Sequence, residues 1–156
     1  MNRWIFVIRD SEEEFKERIN VKKWPIFNNT SHRRDLAIGD EVMFYKAGRE
    51  QGQSFLGIAK ISTDLMPILN SKDFEINLDG IVIWKNFPSI RDHLSKLSFI
   101  KSELNWGIYL QTGVKTSTKK DFVMISNTAK KIENTKTISD SENSFLQNFN
   151  SSYSDT

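Results

Sequence analysis

The chain has 156 residues, 38% hydrophobic and 27% charged, which suits one domain with a core of its own. It contains no cysteine, and that excludes thiol nucleophiles, disulfides and Cys-ligated zinc. A net charge of +2 is too weak to mark a nucleic-acid binder, so local clustering has to carry any such reading.

Trp4 to Arg9 reads WIFVIR, a β-branched and aromatic run that predicts a buried first strand. This run is too short for a signal-peptide core, and no stretch reaches the roughly 18 apolar residues of a membrane span. A cytoplasmic protein with no membrane partner is expected. Asp10 and Ser11 are capping types, Glu12–Glu14 load a first helical turn, and Phe15 and Ile19 share one face. A short helix over about 11–20, ended by Asn20, is predicted.

Lys22 to Arg34 (KKWPIFNNTSHRR) lacks a sustained period and predicts a loop that displays Trp24 and Phe27 among basic neighbours. Glu41–Lys46 and Phe55–Ser62 predict strands joined by the Gly-containing connection of residues 47–54. Gly57 inside the second of these marks a bulge or a close backbone approach. Thr63–Asp79 reads as an irregular connection with a helical turn near Leu65–Leu69. Ile81–Lys85 is predicted as a strand, Pro88–Leu97 as a short helix, Asn105–Leu110 as a strand or turn, and 118–125 as a last helix. From Thr128 the composition turns to Ser, Thr, Asn and Asp, which predicts a domain over 1–127 and a polar, disordered tail over 128–156. Within that tail, Phe145, Leu146 and Phe149 form a weak docking segment. The strand-rich order predicts an α+β fold, a mixed or antiparallel curved sheet or barrel with peripheral helices.

Catalytic motifs are sparse. The two histidines, His32 in the basic loop and His93 on a helix surface, sit in no nucleophile or metal-ligand pattern. Neither GxGxxG nor GxxxxGK[ST] occurs. No metal or cofactor is expected. Aromatics make up 12% of the chain and recur beside Lys and Arg, the combination that stacks bases and meets phosphates. Trp24 and Trp106 lie in irregular or edge segments and are the rings that point to a ligand, whereas Trp4, Phe6 and Phe44 read as core. Three functional classes stay open on these residues. One is a base-binding module, the second a small-molecule or nucleobase-acting enzyme using His32 or Asp35, and the third a protein-interaction module.

The succession WIFVIRD, KWPIF, LAIGDEVMFYKAG, FLGIAKIS and LSFIKSELNWGIYLQTGVKTSTKKDFVMI resembles the EVE domain over about residues 3–126. GDEVMFYK and FIKSELNWGIYL are its most specific parts. EVE domains belong to the PUA-like superfamily and are similar in fold to the YTH domains, which read N6-methyladenine through an aromatic cage. The resemblance implies a PUA-like curved β-barrel of about five to six mixed strands with peripheral short helices. It also implies a non-catalytic pocket for a base of RNA, or of single-stranded or flipped-base DNA, often carrying a modification. By position it implies Trp24 as the stacking ring, with Pro25, Ile26, Asn28 and Ser31 at the base edge. Tyr45 and Lys46 would line the pocket, and Trp106 and Gly107 would close another side. Lys22, Lys23, Arg33 and Arg34 would meet phosphates. Pro25 stands where many EVE loops have Gly or Asp, and it removes a backbone donor.

Overall fold

The computed structural model describes residues 1–9, 11–48, 53–102, 106–110 and 113–135. Five of the six residues of β1 (Arg3–Ile8) are buried. A strand covered on both faces reads as an unbroken apolar run rather than an alternation. Trp4, Phe6 and Ile8 accordingly enter one core, and Ile5 and Val7 enter another. β3 (Glu41–Lys46) runs parallel to β1 and divides its residues the same way, Val42 and Phe44 to the first core, Met43 and Tyr45 to the second.

α1 (Glu12–Val21) starts where its capping chemistry predicts. The Ser11 hydroxyl accepts from Glu14 N–H at 3.2 Å, and three glutamates sit at the positive end of the helix dipole. It closes slightly later than Asn20. Lys22 adopts a left-handed φ of 59° and donates its N–H to the carbonyls of Arg18 and Ile19. The loop expected from Lys22 onward is corrected at once, because β2 (Lys23–Ile26) pairs with β6 (Phe74–Ile83). Four residues interrupted by a proline are too few for periodicity to register, and the partner lies about fifty positions away in sequence.

β4 (Ser54–Ile61) is antiparallel to β3 and to β6, and β6 also carries the two-residue β5 (Met66–Pro67). The stretch read as an irregular connection thus supplies β5 and the first half of β6. β7 (Val114–Ser117), which sequence patterning did not single out, lies antiparallel to β1. The result is a curled mixed sheet of seven strands in the order β2-β6-β4-β3-β1-β7, with β5 beside β6. Gly57 fulfils the close-approach expectation. A Cβ there would drive into the Val82 carbonyl oxygen on β6, and the β3–β4 register shifts beside it, between Phe44 and Tyr45.

The first core is closed by Phe15 and Ile19 of α1 and by Trp24 and Ile26 of β2. The second lies under α2 (Lys119–Thr135) and two short 3-10 helices, Ile90–His93 and Trp106–Leu110. Trp106–Leu110 is therefore neither strand nor turn, while Asn105 and residues 49–52 of the β3–β4 connection lie outside the described residues. His93 is corrected from the surface to the interior. It is 6% exposed, with ring nitrogens 2.9 Å from Ser89 O and 3.3 Å from Thr128 Oγ1. α2 runs past the expected domain boundary at 127, with Ala129 fully buried. The rest of the expected tail lies outside the described residues. Among the described residues no helix is long and apolar enough to cross a membrane.

Candidate nucleic-acid interface

Because β2 and β7 are the two ends of the sheet order, the barrel stays open between them. A cleft of about 450 Å³ lies in that seam, within the roughly 300–1,000 Å³ typical of small-ligand sites. β2 contributes Trp24, Pro25 and Ile26, Gly113 comes from just before β7, and Val114 starts that strand. Val7 comes from β1, Arg9 from just past its end, Arg18 from α1, and Phe27, Asn29, Thr30 and Ser31 from the loop after β2. Two arginines and no carboxylate appear among the described lining residues, although Arg18 also stands 3.9 Å from Glu14 and Arg9 donates to the Leu110 carbonyl.

Pro25 fits this edge for a physical reason. Leu78 N–H donates to Lys22 O, so hydrogen-bonded pairs alternate along the β2–β6 ladder and Pro25, opposite Glu75, falls between them. Its ring nitrogen faces the seam, where no ladder donor is needed, and it blocks a further strand from adding there. Trp24 is the floor rather than an open wall. It is 3% exposed, packed against Phe6, Phe15 and Phe44, with the Arg18 guanidinium 4.9 Å from its ring centroid. The expectation of an exposed Trp24 is corrected accordingly.

The residues expected in one pocket divide between two faces of the sheet. Trp24, Pro25, Ile26 and Ser31 line the seam cleft. Asn28 is exposed just outside it, with its backbone N–H donated to Asp73 Oδ1 at 3.0 Å. Tyr45 follows Phe44 on β3 and therefore points the opposite way, into the second core against Phe55. Trp106 packs on that second core too, beneath the Arg91 guanidinium at 5.5 Å, with exposed Gly107 beside it. Lys46 ends β3 opposite Ile8, half-buried and apart from the seam cleft. Of the expected phosphate contacts, Lys22 is the exposed helix cap, Lys23 pairs with Glu75 at 3.7 Å and Arg33 donates to Thr30 O. Arg34 is exposed on the same loop.

Arg9, Arg18, Phe27, Asn29, Thr30 and Val114 line the cleft without having been nominated from sequence as part of a pocket. Arg9 carries a faint signal, since the first charged residue after a buried strand stands at that strand's mouth. Arg18 follows Phe15 by three positions and so borders the buried face of α1. His32 and Asp35, the enzymatic candidates, lie 3.4 Å apart and exposed. They line a different cleft of about 340 Å³ with Arg3 and Trp4. Among the described residues no cluster of His, Cys, Asp or Glu is arranged to hold a metal ion.

A curled mixed sheet of this order, carrying short helices on its outside, is the PUA-like fold of EVE domains that the sequence resemblance implied. Solved structures that share it include a protein of Agrobacterium tumefaciens at 16% identity and TM-score 0.62, covering 83% of this chain and 93% of that one. Human THYN1, solved in complex with DNA containing 5-methylcytosine, matches at 12% identity and TM-score 0.57, over 83% of this chain and 98% of its own. The N-terminal domain of Staphylothermus marinus McrB matches at 9% identity and TM-score 0.56, over 80% and 93%. Identities this low establish a shared fold. No family model and no curated protein matches the chain.

Proposed function

We propose that this chain is a non-catalytic nucleic-acid-binding module that takes a single base, carrying a modification, into the cleft between β2 and β7. The observation that carries the reading is the coincidence of an open barrel seam with an indole floor and two arginines. The base would stack flat on the face of the Trp24 indole. The Ser31 hydroxyl, the Asn29 amide and the Thr30 hydroxyl would meet its edge, and Arg9 would meet the adjoining phosphate. THYN1, which shares the fold, was solved with 5-methylcytosine-containing DNA, and this supports a modified base as ligand.

Magnitudes favour an unpaired strand. One base stacked on an aromatic ring contributes about 1–3 kcal/mol. Extruding a base from a duplex takes a few kcal/mol. A site with one tryptophan floor roughly offsets that penalty and leaves little over, so RNA or single-stranded DNA, or a base already weakly paired, is the expected partner.

Tryptophan-fluorescence titration tests this, using short single-stranded DNA and RNA with and without 5-methylcytosine or N6-methyladenine, at two salt concentrations. Arg9→Ala is run alongside. Tighter binding of one modified oligonucleotide is expected, with a salt slope shallower by roughly 0.7 per lost phosphate contact in Arg9→Ala. Absence of binding to every oligonucleotide at low salt sinks the proposal.

A further inference from the structure

We propose that Arg18 is a latch on this cleft, closed over Trp24 and opening into an acidic groove beside it. The inference rests on the base-binding reading and concerns how the cleft is entered. Phe6 and Phe44 are register partners on β1 and β3, so they lie side by side on one face of the sheet. Their rings are inclined only 34° and 31° to the Trp24 indole, at centroid distances of 5.7 and 5.1 Å. One face of the indole therefore rests on that pair, while Phe15 meets the ring edge-on at 6.0 Å. The face that remains is the one under the Arg18 guanidinium, 4.9 Å from the centroid. A flat base needs that same face. Guanidinium and base compete for one position; the guanidinium on that face, with Phe6, Phe15 and Phe44 around the rest of the ring, leaves the floor of the cleft only 3% exposed.

The place to which Arg18 moves is also formed. On the far side of Pro25 lies a groove of about 360 Å³, and Arg18 lines it together with Glu14, Glu17, Lys23 and Glu75. Three carboxylates thus face two cationic side chains there, and Glu14 already stands 3.9 Å from Arg18 Nη2. A swing of one flexible side chain gives up the cation–π contact, keeps the Glu14 pair and gains the carboxylates of Glu17 and Glu75, so the closed position is only modestly favoured. Such a latch multiplies the intrinsic affinity of the cleft by the fraction of molecules that stand open.

The test compares two single-stranded oligonucleotides that differ at one position, a base in one and an abasic site in the other. Cytosine, 5-methylcytosine and N6-methyladenine are each placed there. The affinity ratio of base to abasic strand isolates insertion from backbone contacts. Arg18→Ala, confirmed as folded by its melting curve and repeated as Arg18→Gln, is expected to raise that ratio about fivefold. This is the factor for losing a competing contact of ~1 kcal/mol. Glu17→Gln leaves the Glu14 pair of the closed position intact, weakens the open position and is expected to lower the ratio. A ratio that falls in Arg18→Ala would make the guanidinium part of the platform and overturn the latch; an unchanged ratio overturns it too. A ratio of one in wild type and in every variant, for every base, is a different result: it removes the base-binding reading itself, and the latch with it.

Discussion

Asp40 shows how a single buried charge organises the start of the fold. Its Oδ2 accepts from the Trp4 indole N–H at 2.9 Å and from Ala37 N–H at 3.1 Å, and Oδ1 accepts from Asn2 N–H at 2.9 Å. One carboxylate, 3% exposed, thereby ties the first strand to the turn that launches β3. Asp40→Ala leaves a buried indole donor unpaired and removes charge-assisted bonds, and should destabilise the chain by roughly 2–4 kcal/mol in urea unfolding. Tyr45 sits in the second core, where burial pushes its hydroxyl above its ordinary range, with Arg91 and Arg9 pulling partly the other way. The folded chain then keeps a proton that the unfolded chain has lost, so stability is intact below pH ~10 and falls as pH rises beyond it. Between pH 9 and 11 the wild type should lose about 1 kcal/mol more than Tyr45→Phe, read from urea midpoints. Trp24 belongs at this scale as well. Trp→Ala in a core removes about 3–5 kcal/mol, so Trp24→Phe is the substitution that alters the cleft floor and spares the fold.

At the scale of elements, residues chosen for one strand or helix are shared between two jobs. β2 offers Trp24 and Ile26 to the first core and leaves Pro25 at the free edge, and that alternation makes its four residues both a closing strand and a cleft wall. α1 buries Phe15 and Ile19 and lays Arg18 along the rim of that core. α2 closes the second core and extends through Thr135. Thr128 donates back to Met124 O and meets His93, and Ala129 is fully buried. A chain ending at 127 removes these contacts and should melt several degrees lower than one ending at 135. Equal melting temperatures would show that the last two turns of α2 contribute nothing. Helix α1 was legible because its caps, acidic first turn and apolar spacing are local signals. β2, β5 and β7 were not, because strands of two to four residues are defined by partners distant in sequence.

Across the whole molecule, a sheet buried on both faces and open along one seam gathers weak charge into one place. Net charge is only +2, yet Arg9 and Arg18 converge on a cleft without a carboxylate among its described lining residues. The sequence by itself determined a strand-rich α+β fold with a curved sheet, and the order of its aromatic, GDEVMFYK and NWGIYL segments carried the resemblance that implied the PUA-like form. The same resemblance grouped Trp24, Pro25, Ile26 and Ser31 in one pocket, together with Asn28, Tyr45, Lys46, Trp106 and Gly107, which the structure places elsewhere. The strand-rich pattern rests on local composition and spacing, which the chain carries wherever it goes. Only the tertiary structure decided that Tyr45 and Trp106 belong to the opposite face, because one step along β3 reverses a side chain. It likewise decided that Arg18 covers Trp24, since a helix and a strand joined through a left-handed Lys22 must fold back before the two can touch.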